Sequence, residues 1–557
     1  MPQSAGHLIV RQLEAHGVRR AYSVPGESFL DVLDGLYDSP IEAVVARHEG
    51  GAGFMALAEG RLTGVPGIAM VTRGPGAANA MIAVHTAWQD ATPLVLFVGL
   101  IPVADRERES FQEFSLTGWF GSTAKRVMVL DDEHRAAEMV AEAMHAAATG
   151  RPGPVVVGLP EDVLVRDTDA VPVEPRRAVP SRVSPEDALD AAARIAAAAR
   201  PLVVVGGDGW DGGDGGADGS VGAEFAAWAA AAHVPVAADW RAYDAVPHGS
   251  DAWAGWLGYC RADTLAARLD EADLLVFVGC GRTDNLTDGY RRGLDAETIV
   301  VLPDPEAKGH AGRIDLQVVG NPAAWVAALP EPSAARGGRT RDWMDELAAD
   351  QHRFSEPAPE ACDGVDLSTA MGLLDARLPD ERVVTYGAGN ATIWGHRFVG
   401  HNLPNSLVGP RNGAMGMAVP AAVAAALVFP DRQAVAICGD GDFLMNGQEL
   451  TVCRAHGGTP LVIVVDNGIY GTIVQHQRAH YPGRPSGTSM DSPDFAAGMR
   501  AYGGFGEYVE TTADFGPALD RALASGLPAL LHLRADPATM PPSSANAGAA
   551  SSVGGVR

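Results

Sequence analysis

The sequence predicts an α/β protein of three domains, each built on a parallel sheet flanked by helices. Apolar, β-branched runs alternate with Ala-rich helical stretches along most of the chain, the pattern of strands buried on both faces. These runs form three blocks, separated by Pro-, Arg- and Gly-containing segments such as VPVEPRRAVPSRV (171–183) and PEPSAARGGRTRD (330–342). A chain of 557 residues, 47% of them hydrophobic, has material for two to four cores, at ~100–200 residues per domain.

The first block, residues 1–172, opens with MPQSAGHLIVRQLEAHGV. This reads as an amphipathic helix, and the charges inside it distinguish it from a signal peptide. The block closes on the strand candidate GPVVVGLPEDVLV (153–165). The second, residues 184–330, carries PLVVVGGDGW (201–210), ADLLVFVGCG (272–281) and TIVVLPDP (298–305). A GxGxxG match at Gly207, Gly209 and Gly212 follows the first of these strands. A dinucleotide site requires a helix to open there with its amides toward a pyrophosphate. Asp208, Asp211 and Asp214 would oppose an anion, and helix-like sequence resumes only near Ala223, so the match reads as an acidic surface loop. The third block spans residues 360–537. Residues 538–557 are small, polar and Pro/Gly-rich and read as a disordered tail.

Charge narrows the partners. With 42 basic and 69 acidic residues the net charge is −27, which repels nucleic acid and anionic membranes. No apolar run approaches the ~20 residues of a membrane span. The five cysteines, Cys260, Cys280, Cys362, Cys438 and Cys453, show no CxxC spacing and fit reduced thiols in a cytoplasmic protein.

The most informative stretch is ICGDGDFLMNGQELTVCRAHGGTPLVIVVDNG (437–468). QAVAIC (433–438) predicts a buried strand, GQELTVCRAHGG one short helix stopped by Gly457, and PLVIVVDN the next strand. In such a βαβ unit both strands end on the same sheet edge, where ligands of open α/β folds bind. Asp440 and Asn467 therefore come together. One carboxylate, one amide oxygen and a backbone carbonyl form a partial set of hard oxygen ligands, which Mg²⁺ accepts because water and phosphate oxygens complete its octahedron. An EF-hand is excluded by Leu444 and Thr451, which stand where its spacing needs an acid or amide and a Glu. An Asp-Gly turn and an Asn-Gly turn ending two core strands would account for the same residues.

Gly439-Asp440-Gly441 followed by Asp466-Asn467-Gly468 resembles the thiamine diphosphate motif, with Asp466 where many members carry the first of two asparagines. YSVPGE (22–27), RHEGGAGFMALAEG (47–60), VTRGPGAANA (71–80) and FQE (111–113) resemble, in the same order, the pyrimidine-binding domain of acetolactate synthase-like enzymes. GPRNGAMGMAVPAA (409–422) resembles their segment that presses an apolar side chain between the cofactor rings. The resemblance covers residues 5–537 and is weakest in the middle block. It implies three doubly wound parallel-sheet domains: an N-terminal pyrimidine-binding domain, a central domain and a C-terminal diphosphate-binding domain. It also implies Mg²⁺ held by Asp440, Asn467 and the carbonyl of Ile469. The cofactor lies against Pro25, Gly26, Gly389, Asn390, Gly413, Met415, Gly441, Asp442, Tyr470 and Gly471. Glu49 becomes the catalytic glutamate at the aminopyrimidine N1′, a role that calls for a dry site and a raised pKa. A lone Glu in a helix's first turn would otherwise simply favour the macrodipole.

The family's chemistry is decarboxylation of a 2-oxo acid, followed by protonation to an aldehyde or ligation to a second carbonyl. The first block has no His-His pair, Thr72-Arg73 precede Gly74-Pro75-Gly76, and Phe111 with Gln112 match the carboligase side. His85 reads as a packed helix residue. The expectation is a carboligase with pyruvate as donor; a simple decarboxylase and a catalytically silent binding subunit are the alternatives. Ala388, Gly389 and Asn390 replace the Gln-His-Gln of authentic acetolactate synthases, and His476 replaces a Trp that shapes their substrate preference. His476 reads as a substrate contact or as a polar surface residue. The flavin segment is altered to WLGYCRADT (256–264), although Arg282 and Asp284 persist, so structural FAD is disfavoured. A homodimer or homotetramer follows from the family's habit of pairing Glu49 of one chain with cofactor held by another.

Overall fold

The computed structural model describes residues 3–176, 181–211, 220–332, 338–539 and 541. It holds three six-stranded sheets, in each of which every neighbouring pair is parallel. The N-terminal strands are β1 (Arg20–Ser23), β2 (Glu42–Val45), β3 (Gly67–Val71), β4 (Leu94–Leu100), β5 (Arg126–Val129) and β6 (Pro154–Pro160), in spatial order β2-β1-β3-β4-β6-β5. The central sheet contains β7 (Pro201–Val205), β8 (Val236–Asp239), β9 (Trp253–Leu257), β10 (Leu274–Val278), β11 (Glu297–Leu302) and β12 (Leu316–Val319), ordered β9-β8-β7-β10-β11-β12. The third contains β13 (Arg382–Tyr386), β14 (Leu407–Val408), β15 (Gln433–Gly439), β16 (Leu461–Asp466), β17 (Phe505–Val509) and β18 (Ala529–Arg534), ordered β14-β13-β15-β16-β18-β17. Strands such as β4, β6, β7 and β10 are buried along their whole length. Their continuous apolar runs reflect helices on both faces.

Two compact units are distinguishable. One comprises residues 1–179 together with 410–430 and 445–459; the other comprises 180–409, 431–444 and 460–557. In the first unit, the N-terminal helix runs Ala5–Ala15 with Ser4 as its N-cap. Helices α1 (Glu49–Thr63) and α2 (Gly74–Asp90) belong to the same unit. The second unit carries α3 (Asn390–Phe398), and the segment 410–430 supplies α4 (Ala418–Val428), which packs along α1.

The stretch after β15 differs from its sequence reading. Instead of one helix over 447–458, α5 starts at once at Asp440 and runs to Asn446, a 3-10 turn follows over Gly447–Val452, and a last turn covers Cys453–His456. Asp440 and Asp442 lie in the first turn of α5, where acidic side chains favour helix formation; hydrophobic periodicity does not register that effect. In the central domain, Gly207 and Gly209 adopt φ of +71° and +91° in a loop, and the next helix begins at Val221 behind the cap Ser220. Gly212 and Asp214 of the GxGxxG reading, and almost all of the 538–557 tail, lie outside the described residues. Among the described residues no helix is long and apolar enough to cross a membrane.

Candidate active site

In the second unit, β15 and β16 pair so that Gly439 lies opposite Val465. Asp440 and Asp466 therefore leave the sheet side by side. Asp440 is 4% exposed; one carboxylate oxygen accepts the Gly441 N–H at 2.8 Å and the other the Gly468 N–H at 2.9 Å. Asn467 Oδ1 accepts the N–H of Ile469 at 3.2 Å. Ser492 Oγ donates to Asp466 at 3.0 Å, and Nε2 of the buried His532 lies 2.8 Å from Asp466.

The two carboxylates divide their charge. Burial, then the hydrogen bond and charge of Asp466, push the Asp440 carboxyl up to about 7. Burial also acts to raise Asp466, but hydrogen bonds with His532, Asp440 and Ser492 outweigh it and hold the group low. Two carboxyl groups at the ends of adjacent strands, one pushed up and the other held low, form an arrangement that a divalent cation relieves. Asp440, Asn467 and the Ile469 carbonyl supply hard oxygens, so the donor set fits Mg²⁺. Among the described residues, the cluster of His, Cys, Asp or Glu close enough to share an ion is elsewhere, at Asp132-Glu133-His134. That is a turn in which the His134 N–H donates to Asp132 at 2.9 Å, and it includes none of the predicted ligands.

Helices α3 and α6 (Gly471–His480) begin at this same edge, and helix N-termini favour anions. Thr472 Oγ1 donates to Asn390 Oδ1 at 2.9 Å, which turns the Asn390 amide nitrogen away from that contact. A Cβ on Gly471 would meet Asn390 Nδ2 at 3.0 Å and Asn467 Nδ2 at 3.5 Å. Asn390, Asn467 and Gly471 thus converge.

Close approach explains two glycines here. A Cβ on Gly441 would stand 2.8 Å from Tyr470 Cε1 and 3.2 Å from Met490 Sδ, so the Tyr470 ring reaches the turn only because residue 441 has no side chain. At Gly387 the added atom would fall 1.9 Å from Asp442 Oδ2, while Asp442 Oδ1 accepts the Ala388 N–H at 3.3 Å. Asp442 accordingly braces the turn Gly387-Ala388-Gly389 that leads into α3. His476 is half-buried on α6, its ring 6.4 Å from that of His480.

In the first unit, Glu49 is the first residue of α1, capped by the His48 side chain, which accepts the Gly50 N–H. Glu49 is half-buried rather than buried, and Asn79 Nδ2 donates to it at 2.8 Å. Behind it lies a residue that sequence reasoning passed over. Glu449, fully buried, accepts the Arg47 N–H with both carboxylate oxygens at 3.2 and 3.0 Å. Burial pushes its carboxyl up to about 7. Its only trace in the sequence was an acid beside Leu450 and Val452 in the turn GQELTV.

Gly413, with φ +71°, and Met415 lie in a segment anchored to α2: the Arg411 N–H donates to Asp90 at 2.8 Å, and Asn412 Nδ2 lies 3.1 Å from Thr86 Oγ1 and 3.2 Å from His85 Nδ1. His85 is thus an anchor for the Met415 segment. Pro25 is exposed, and Gly26 lies against Thr72. The Gln112 carbonyl crowds Gly74 at the start of α2, while Phe111 is 76% exposed. In the central domain, Arg282 is committed to the fold, donating to the carbonyls of Arg292 at 2.7 Å and Gly293 at 2.8 Å.

The chain has recognisable relatives among known proteins. Three family profiles match in order: the thiamine pyrophosphate enzyme N-terminal TPP binding domain over residues 3–119, the central domain over 189–329, and the C-terminal TPP binding domain over 387–533. The chain is 30% identical to the acetolactate synthase large subunit of Parasynechococcus marenigrum over 549 residues, covering 95% of this chain and 88% of that protein. It is 30% identical to the catabolic acetolactate synthase of Raoultella terrigena, covering 95% and 94%, and 28% identical to acetolactate synthase isozyme 2 large subunit of Escherichia coli, covering 95% of each.

Proposed function

The chain belongs to the thiamine pyrophosphate enzyme family and is acetolactate synthase-like, and from that premise we propose that it decarboxylates a 2-oxo acid, with pyruvate as donor, and ligates the remaining fragment to a second carbonyl compound. Bound thiamine diphosphate supplies the electron sink for loss of CO₂. Asp440, Asn467 and the Ile469 carbonyl hold Mg²⁺. Asn390, Gly389, Gly441, Asp442 and the Tyr470-Gly471 start of α6 receive the diphosphate. Pro25, Gly26, Gly413 and Met415 flank the aminopyrimidine, and Glu49 exchanges a proton with its N1′ nitrogen. Gln112 and His476 contact the substrate.

The observation that carries this reading is the convergence of Asn390, Asn467 and Gly471 beside the Asp440 carboxylate at one sheet edge. Flavin is left out of the cofactor set because its segment is altered to WLGYCRADT, and Nη1 and Nη2 of Arg282 donate to the chain's own carbonyls. The active assembly is a homodimer or homotetramer in which Glu49 serves cofactor held by a partner chain. The test is to incubate purified protein with Mg²⁺, thiamine diphosphate and a panel of 2-oxo acids, and to measure CO₂ and product. CO₂ with acetolactate or another 2-hydroxyketone supports the reading, and free aldehyde as sole product replaces ligation by simple decarboxylation. No CO₂ and no exchange of the cofactor's C2 proton would overturn the enzyme assignment.

A further inference from the structure

The turn Gly387-Ala388-Gly389 carries no side chain long enough to hold itself in place, although Asn390 and the start of α3 depend on it. A residue of the central domain reaches it. Arg241, just beyond β8, is 4% exposed. Its guanidinium lies 3.9 Å over the Trp240 ring. Nη2 donates to the Gly387 carbonyl at 2.9 Å, and Nη1 donates to Nε2 of His396, on α3, at 2.7 Å. Burial, then the charge of Arg241, push the His396 pKa well below its ordinary value, so the ring is neutral and able to accept. A Cβ at Gly409 would stand 2.9 Å from Nη1 and 3.4 Å from Cζ, so the backbone there also closes on the guanidinium.

A buried guanidinium is costly to desolvate unless its forked donors are used. Here they tie together the two ends of one structural piece: Nη2 holds the turn that precedes α3, and Nη1 holds the helix itself one and a half turns on. We infer that Arg241 is a positioning residue for the cofactor diphosphate, a clamp from the central domain that fixes the Gly387–Asn390 turn through the Gly387 carbonyl and His396. This rests on the cofactor reading above.

The test measures thiamine diphosphate affinity in the full-length protein with saturating Mg²⁺, by calorimetry or quenching of tryptophan fluorescence. Arg241→Met keeps the apolar stem and removes the donors. The expected result is a Kd at least tenfold weaker, with hydrogen exchange of the 388–391 amides accelerated while the melting temperature without cofactor stays within a few degrees of wild type. A folded Arg241→Met protein that binds within twofold of wild type would overturn the clamp. Should that variant fail to fold, Arg241→Lys keeps the buried charge but replaces the fork with a single compact ammonium. A Kd at least threefold weaker then supports the clamp, and one within twofold overturns it. Failure of the wild type to bind thiamine diphosphate would strike the proposed function instead, whereas equal binding by wild type and variant strikes only the role of Arg241.

Discussion

Two regions of the chain, one around Asp440 and one around Glu49, are built on opposite principles. Around Asp440 the carboxylates of Asp440 and Asp442 are buried, Asp466, Asn467 and Asn390 are half-buried, and the groups are packed together across positions that carry no side chain, as at Gly387 and Gly441. Glu49 itself is half-exposed and held by Asn79, and the buried carboxylate near it is a different one, Glu449, which holds the backbone just before α1. On the proposed function, the region around Asp440 grips charge and the region around Glu49 aims one proton-transferring group from the start of a helix. Substitutions in the first region should therefore appear as lost cofactor affinity, and in the second as lost rate.

Glu49→Gln tests the contrast most severely. We expect exchange of the cofactor C2 proton to slow by ~10²–10⁴-fold with thiamine diphosphate affinity nearly unchanged; a large affinity loss with a normal rate would invert the comparison. Asp440→Ala should do the reverse, weakening Mg²⁺-dependent cofactor binding on the order of a hundredfold, since it removes the charged ligand from the oxygen set. Titration of cofactor binding against Mg²⁺ reads this directly.

Glu449 gives the next effect, in stability. Its folded pKa of about 7 lies above the ordinary glutamate value of 4.5. Between those two values the unfolded chain has released a proton that the folded chain still holds, so this group makes stability fall as pH rises through that window. Glu449→Gln should therefore lose less stability than wild type between pH 5 and pH 8, by on the order of 2–3 kcal/mol. Parallel denaturant melts at the two pH values would show it, and identical pH slopes would remove the assigned burial effect. Gly441→Ala places a methyl against the Tyr470 ring and should cost about 1–3 kcal/mol, with thermal unfolding as the readout. Thr472→Val is the mildest, removing one hydrogen bond to Asn390 worth about 1 kcal/mol and weakening cofactor affinity by a correspondingly small factor.

Much of the fold was legible because strands buried on both faces, such as VVVGL in β6 and LLVFV in β10, leave continuous apolar runs between helical stretches. Asp440 and Asn467 were legible as neighbours because a βαβ crossover leaves both strand ends at one edge. The course of the chain from Asp440 to His456 was less so. Its helix begins on acidic residues that hydrophobic periodicity does not register, and its second half departs from α geometry around the buried Glu449. Arg241, His532 and Glu449 could not be found from the sequence. Each acts on a residue 66 to 402 positions away, and nothing local distinguishes a charged side chain that will be buried from one that will be solvated.

By itself, the sequence determined the three parallel-sheet domains, the strand ends that carry Asp440 and Asn467, and the family resemblance, because all of these are written in short-range pattern and spacing. Only the tertiary structure decided which carboxyl groups are pushed up and which are held low, which glycines are required by a neighbour's ring or carboxylate, and which distant Arg and Glu hold the Gly387–Asn390 turn and the backbone before α1. Those outcomes depend on desolvation and on contacts between segments far apart in the chain, and neither exists until the domains have packed.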